Sequence, residues 1–418
     1  MESIPGPVTT NPTVFDQQAF DNLLRAALAS FQGISDLLFV SKKVLQVESQ
    51  GQLQDVLLPP FQSELRPQDT EAVARLLMGE NKRLVDDLAR LGGCDTSYAV
   101  EGLARFRVNV FKQNGNFAIV MRKLASEVPQ LDKLGVPPIF GEVIKEKTGI
   151  ILVTGATGSG KTTTLAAMLN ELNRTSRMHI VTLEDPIEFY HPHQMGTFSQ
   201  RELGKDFPDF ASGLRSALRQ APKVILVGEI RDRETMEIAL TASETGHVVY
   251  STMHTVNAAQ TINRILGMFS QEEETQVRAR LADTLRYVIS QRLVPKVGGG
   301  RLLVPEIMGS NLRSREVLIY GENENRSMQE IIEAGMVMGW QSFDQALLIE
   351  FDRGLITEET AMLYCNSKSS MLRALDYAKK LRPGATDENA PTGLRLQNLN
   401  EAPLPELVLA PPPLPVRS

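Results

Sequence analysis

The chain has 418 residues, 42% hydrophobic and 22% charged, with a net charge of −6, which is too long for one ordinary core and calls for two domains plus tails. The mild acidic balance lacks the basic stripe of a nucleic-acid binder, and Cys94 and Cys365 alone fit a reducing cytosol and exclude a disulfide framework. Met1 to Pro12 lacks the basic and apolar regions of a secretory signal, and no run approaches the ~18 apolar residues of a membrane span.

Residues 1–13 are rich in Pro, Thr and Asn and read as a mobile start. Residues 14–124 read as a small α/β domain. Phe15 to Phe31 has helical character and Leu37 to Val47 is strand-like. Thr70 to Leu91 carries apolar residues at Val73, Leu76, Leu77, Leu84, Leu88 and Leu91, a helical spacing that Gly92-Gly93 ends. In Arg105-Phe106-Arg107-Val108-Asn109-Val110 polar and apolar residues alternate. Phe106, Val108 and Val110 then share one face of a strand, with Arg105, Arg107 and Asn109 on the other. Asn114-Gly115 is a hairpin turn, and Phe117 to Arg122 is the returning strand.

Residues 125–138, with Pro129, Pro137 and Pro138, read as an interdomain linker. From about 139 to 295 strands alternate with helices, which predicts βαβ units and a mainly parallel sheet. Residues 296–380 look mostly helical. Eight of the 23 prolines fall in residues 382–418, so this tail reads as disordered, either solvated or a docking peptide.

The strongest motif is Gly155-Ala156-Thr157-Gly158-Ser159-Gly160-Lys161-Thr162, between the apolar run Gly149 to Thr154 and a helical Thr163 to Leu169. Strand, glycine-rich loop and helix together make a phosphate cradle. The glycines let backbone N–H groups converge on phosphate oxygens, and the helix N-terminus adds its dipole. Lys161 would reach the β- and γ-phosphates and the Thr162 hydroxyl would ligate Mg²⁺. The chain therefore binds a nucleoside triphosphate.

Two further strands end in acids. Val224 to Val227 leads to Gly228-Glu229, where the Mg²⁺ shell needs a carboxylate and the extra methylene of Glu points to contact through a metal-bound water. His179 to Leu183 leads to Glu184-Asp185-Pro186-Ile187-Glu188. Three carboxylates in five residues need compensating cations or donors, and one of them is the natural group to aim and polarise an attacking water. Gly246 to Thr255 is another strand, bracketed by His247 and His254. These two histidines cannot both lie at one strand end. His191-Pro192-His193 lacks a third ligand for a metal.

The series GATGSGKTTT (155–164), TLEDPIEF (182–189), ILVGEIRDRET (225–235) and TASETGHVVYSTMHT (241–255) resembles the secretion-superfamily ATPases. It corresponds to their Walker A, Asp-box, Walker B and His-box motifs. Within them it is most similar to the type IV pilus retraction (twitching motility) ATPases, the PilT/PilU group. Supporting stretches are ARFRVNVFKQ (104–113), SALRQAP (216–222), VISQRLVPK (288–296) and GWQSFDQAL (339–347).

The resemblance covers roughly residues 15–380. It implies an α/β chain with a PAS-like N-terminal domain and a RecA-like C-terminal domain with a helical end, spanning 139–381. ATP would lie between them, in a homohexameric ring. It implies phosphate contacts from residues 155–163, including Gly155, Ala156, Thr157, Gly158, Ser159, Gly160 and Thr163. Lys161 and Thr162 would hold phosphates and Mg²⁺, Glu229 would join the metal shell, and Glu188 would activate water with support from Glu184 and Asp185. Asp185 is also a candidate for the metal shell. His247 and His254 match the His-box histidines. Arg105, Arg107 and Arg122 match arginines folded over the nucleotide as charge-neutralising fingers. A cytoplasmic motor at the inner membrane is implied, with a pilus platform protein and a paralogous ATPase as partners. After Glu306-Ile307-Met308, residues 309–319 depart from the family's helix, keeping only its arginines and the Arg-Glu pair.

Overall fold

The computed structural model describes residues 15–124, 127–323 and 326–381. The expected mobile start and the proline-rich tail lie outside the described residues.

The N-terminal unit begins with helix α1 (Gln17–Ser30), capped by Asp16, whose carboxylate accepts from the Ala19 N–H at 2.8 Å. Its Phe20, Leu23, Leu24 and Ala27, spaced for one helical face, are buried. The strand expected over Leu37 to Val47 is two strands, β1 (Ile34–Val40) and β2 (Leu45–Ser49), with Lys42 at positive φ between them. β3 (Gln52–Val56) follows. The helix expected over Thr70 to Leu91 is also two, α2 (Pro67–Met78) and α3 (Lys82–Leu91). Gly79, at positive φ, breaks it, and Asn81 caps the second half. Then come β4 (Gly93–Val100), β5 (Ala104–Gln113) and β6 (Asn116–Lys123). The hairpin turn is at Asn114-Gly115, both at positive φ, as a two-residue turn requires. The six strands form an antiparallel sheet in the order β3-β2-β1-β6-β5-β4.

The C-terminal unit contains α4 (Phe140–Val143), β7 (Gly149–Thr154), α5 (Lys161–Thr175), β8 (His179–Glu184), β9 (Thr197–Glu202), α6 (Phe210–Ala217), β10 (Val224–Val227), α7 (Arg233–Glu244), β11 (Val248–Met253), α8 (Ala258–Leu266), α9 (Glu274–Thr284), β12 (Leu285–Pro295) and β13 (Arg301–Gly309). Five helices follow: α10 (Leu312–Tyr320), α11 (Met328–Ala334), α12 (Phe343–Asp352), α13 (Glu358–Tyr364) and α14 (Lys368–Leu381). The sheet order is β13-β12-β7-β11-β10-β8-β9. All neighbours are parallel except β12 and β13. Every residue of β7, β10 and β11 is buried, as expected of parallel strands covered on both faces.

Strand β13 corrects the helical expectation for 296–380. Its Arg301-Leu302-Leu303-Val304-Pro305 stretch shows no alternation, and Pro305 is tolerated because the strand is at the sheet edge. In the stretch preceding α4, Leu131 is buried in the C-terminal core and Asn170 of α5 donates to the Pro129 carbonyl at 3.4 Å.

The parallel strands deliver their carboxyl ends to one edge. That edge carries Gly155 after β7, Glu184 at the end of β8, Glu229 after β10 and His254 after β11. Such an edge is where ligands bind in this architecture.

Candidate functional site: an interdomain phosphate cleft

The loop from Gly155 to Gly160 joins the buried β7 to α5. Gly155 is at φ +145°, and a Cβ there would fall 2.5 Å from Ser159 Oγ and 2.6 Å from the Gln291 carbonyl oxygen. Only glycine fits. Gly158 and Gly160 are also at positive φ. The Lys161 ammonium is folded onto the loop, donating to the Gly155 and Ala156 carbonyls at 2.9 and 3.0 Å. Burial pushes its pKa down, while Glu229 and Glu188 pull it back up. Ser159 Oγ is buried without a partner, a donor aimed within a cradle otherwise built from backbone.

The Asp-box acids differ by environment. Glu184 is fully enclosed. Burial pushes its carboxyl up to about 7, against hydrogen bonds from Thr182 Oγ1 at 2.6 Å and Gln200 Nε2 at 3.1 Å. Burial also raises Asp185, with Arg107 opposing. Glu188 is raised by burial and held back by Arg107, by the Thr162 side chain and by Lys161. On the far wall Glu229 pairs with Arg231 and lies 3.6 Å from His254 Nε2. Burial and then Lys161 lower the His254 pKa, with Glu229 acting against them, so the ring favours its neutral form.

Thr157, Gly158 and residues 160–163 of the loop and helix, the acids Glu184, Asp185, Glu188 and Glu229, and His254 line one cleft of about 620 Å³, which also takes in Arg107 of the N-terminal sheet, Phe189, His191, Phe210, Leu293 and Arg301. A larger cavity of about 1330 Å³ opens at the amino ends of the strands, beside Thr148, Lys223 and Val248. It has neither the phosphate loop nor the acids, so the chemistry belongs to the smaller cleft.

Of the expected nucleotide residues, Gly155, Ala156 and Ser159 lie in the loop but not in the cleft's lining, and His247, Arg122 and Arg105 are directed elsewhere. His247 precedes β11 at its amino end, its Nδ1 3.0 Å from the Ala242 carbonyl. Six strand residues at ~3.3 Å each place it about 20 Å from the phosphate loop. Arg122 pairs with Asp36 on its own sheet, Nε to Oδ1 2.9 Å. Arg105 shares the pleat face of Arg107 but points at the backbone of Ile187, donating to its carbonyl at 2.5 Å. The histidines of 191–193 are structural: His191 stacks on Phe198, centroids 4.3 Å apart, and His193 accepts the Phe198 N–H.

Gln291 was not singled out from the sequence. It donates to Thr164 Oγ1 at 2.9 Å behind the phosphate loop, and its Oε1 is buried without a partner. Thr154 likewise donates to Ser290 at 2.9 Å. Both partners sit on β12, in the VISQRLVPK stretch, where long-range pairing with β7 brings them to the loop.

The site suits a nucleotide triphosphate with a hard divalent cation. The Thr162 hydroxyl and the Glu229 carboxylate are oxygen donors of the kind Mg²⁺ takes. Among the described residues no cluster of three or more His, Cys, Asp or Glu side chains forms a metal cage. A cation that takes most of its ligands from phosphate and water does not need one.

The family model for Type II/IV secretion system protein matches residues 50–316. The type IV pilus retraction ATPase PilT of Pseudomonas aeruginosa is 41% identical over 335 residues, 80% of this chain and 95% of that one. The crystal structure of the pilus retraction motor PilT with bound ADP matches with a TM-score of 0.74 at 39% identity, covering 84% of this chain and 98% of that one. The ATPase DotB of Legionella pneumophila matches with a TM-score of 0.75 at 30% identity, covering 84% and 96%. With its phosphate loop, acids and interdomain cleft, the chain is an ATPase that belongs to the Type II/IV secretion system protein family.

Proposed function

We propose that this ATPase is the homohexameric motor of type IV pilus retraction, working at the cytoplasmic face of the inner membrane on a pilus platform protein, beside a paralogous ATPase. The observation that carries the reading is the meeting of Lys161, Thr162, Glu188 and the N-terminal-sheet residue Arg107 in one cleft. It is supported by the identity to PilT across 95% of that protein's length. No helix among the described residues is long and apolar enough to cross a membrane, which suits attachment through partners.

ATP enters with its phosphates on the backbone N–H groups of 155–163 and on Lys161. Thr162 and Glu229 would hold Mg²⁺, which would supply positive charge to the phosphate oxygens. Glu188, whose carboxyl burial raises against the pull of Arg107, Thr162 and Lys161, takes a proton from the attacking water and aims it. Arg107, brought in by the N-terminal sheet, neutralises charge on the transferring phosphoryl group. His254, its Nε2 3.6 Å from Glu229, orients that carboxylate. Closure of the N-terminal sheet on ATP and its release after hydrolysis form the power stroke.

The test is to image pilus dynamics in a deletion strain complemented with wild type or Glu188→Gln. Retraction restored by wild type alone supports the reading. A deletion strain that still retracts, but fails to extend pili or to secrete, replaces it with the extension or secretion motor that the altered segment 309–319 leaves as the second reading.

A further inference from the structure

The backbone of one residue, Ile187, is held from two sides. Arg105 reaches it from β5 across the domain boundary, its Nη1 donating to the Ile187 carbonyl at 2.5 Å. The guanidinium also lies over the Tyr190 ring, 4.1 Å from its centroid. From the other side Glu202, which ends β9 in register beside Glu184, accepts the Ile187 N–H at 3.4 Å. Arg105 and Glu202 also pair with each other at 3.4 Å, with side chains 15% and 5% exposed. A second residue of the N-terminal sheet joins them, because Ser97 Oγ donates to Glu202 at 2.7 Å.

The residue after Ile187 is Glu188. With the Ile187 N–H and C=O both engaged, the two peptide units that flank Ile187 are each held at one end, and the unit that leads into Glu188 is held by an arginine that reaches it only while the N-terminal sheet is docked. Arg107, two residues along the same pleat face, lines the cleft and opposes Asp185 and Glu188. The two arginines therefore have different targets.

We propose that the Arg105–Glu202 pair is a positioning relay, which places Glu188 for hydrolysis when the N-terminal sheet closes and lets it relax when the sheet opens. The planar guanidinium serves Ile187 and Glu202 at once with its two Nη groups. A lysine point charge cannot hold that fork geometry. In this role Arg105 touches neither nucleotide nor water. The inference rests on Glu188 as the water-activating carboxylate.

The experiment uses the purified full chain, measuring steady-state ATP turnover and the affinity for a fluorescent non-hydrolysable ATP analogue. Arg105→Lys keeps charge and stem, so folding is protected, and a melting curve checks it. Arg105→Lys and Glu202→Gln should each lower kcat about tenfold to a hundredfold, the range expected for a misplaced catalytic group. KM and analogue affinity should stay within about threefold. The Arg105→Lys/Glu188→Gln double variant should be no slower than Glu188→Gln alone, because the relay acts through Glu188. A wild-type kcat in both Arg105→Lys and Glu202→Gln overturns the relay. So does a fall in analogue affinity that matches the fall in rate, which would make Arg105 a phosphate contact. Normal turnover by Glu188→Gln overturns the underlying assignment instead, whatever Arg105 does.

Discussion

Thr162 and Glu188 line the same cleft, where the Thr162 side chain opposes the rise that burial gives the Glu188 carboxyl. This juxtaposition joins the first turn of α5 to the Asp-box loop, so the hydroxyl suited to the cation and the acid suited to the water serve one cleft. It also separates the work of binding from that of hydrolysis. Glu188→Gln keeps a hydrogen-bonding side chain of the same shape and should bind nucleotide normally, while turnover falls about 10²- to 10⁴-fold, the worth of a positioned general base. Lys161→Ala removes the ammonium on which the phosphates rest and should weaken nucleotide binding about tenfold or more. Phosphate release and nucleotide titration on the two variants check the split. Normal turnover by Glu188→Gln would move the base to another acid.

Gly155 is the tightest point of the cradle. A methyl there meets Ser159 Oγ and the Gln291 carbonyl, and φ of +145° is foreign to alanine. Gly155→Ala should therefore lower the melting temperature and abolish nucleotide-induced stabilisation together. Gly158 is at positive φ with nothing within 4 Å of its would-be Cβ, so Gly158→Ala should be the milder of the two. Differential scanning fluorimetry with and without ADP checks both. Equal behaviour would mean that the loop relaxes around the added methyl.

Arg107 is exposed in the chain but faces Asp185 and Glu188 across the cleft. Arg107→Ala should raise KM for ATP and slow hydrolysis, each about tenfold, since an arginine clamp contributes to both binding and charge neutralisation. Steady-state kinetics at low ionic strength checks this. Unchanged constants would return Arg107 to a solvated face.

Local signals made much of this legible. The phosphate loop, the strand-end acids and the hairpin are each defined within about ten consecutive residues, because tight turns and pleats impose residue types at short range. The division between Arg105 and Arg107 was not legible. Alternation places both on one face, and only the docking of the N-terminal sheet on Ile187 and Glu202, roughly 80 and 100 residues away in sequence, tells them apart. Gln291 was hidden for the same reason, since its role follows from the pairing of β12 with β7. The breaks at Lys42 and Gly79 were overlooked because the apolar spacing runs on across them. β13 was missed because an edge strand need not alternate.

The pH dependence of stability offers a check on the buried acids. Burial pushes both Glu184 and Glu306 up to about 7. Glu306 sits on β13 and accepts the Ala258 N–H at 2.8 Å, anchoring the start of α8 just after His254. Each acid binds a proton in the folded chain at pH values where the unfolded chain has released it. Their contribution to stability is then present below about pH 4.5 and lost as pH rises through about 7. His191, lowered to about 4 by burial, acts in the opposite sense up to about pH 6.5. The variants are therefore compared with wild type, so that this background cancels. The melting temperature of Glu184→Gln relative to wild type should rise between pH 5 and pH 8, and that of Glu306→Gln likewise, because the amide has no proton to lose. Thermal melts across that range measure it. Differences that stay flat with pH would mean that both carboxyls ionise in the folded chain and that nearby donors, not protonation, offset their burial.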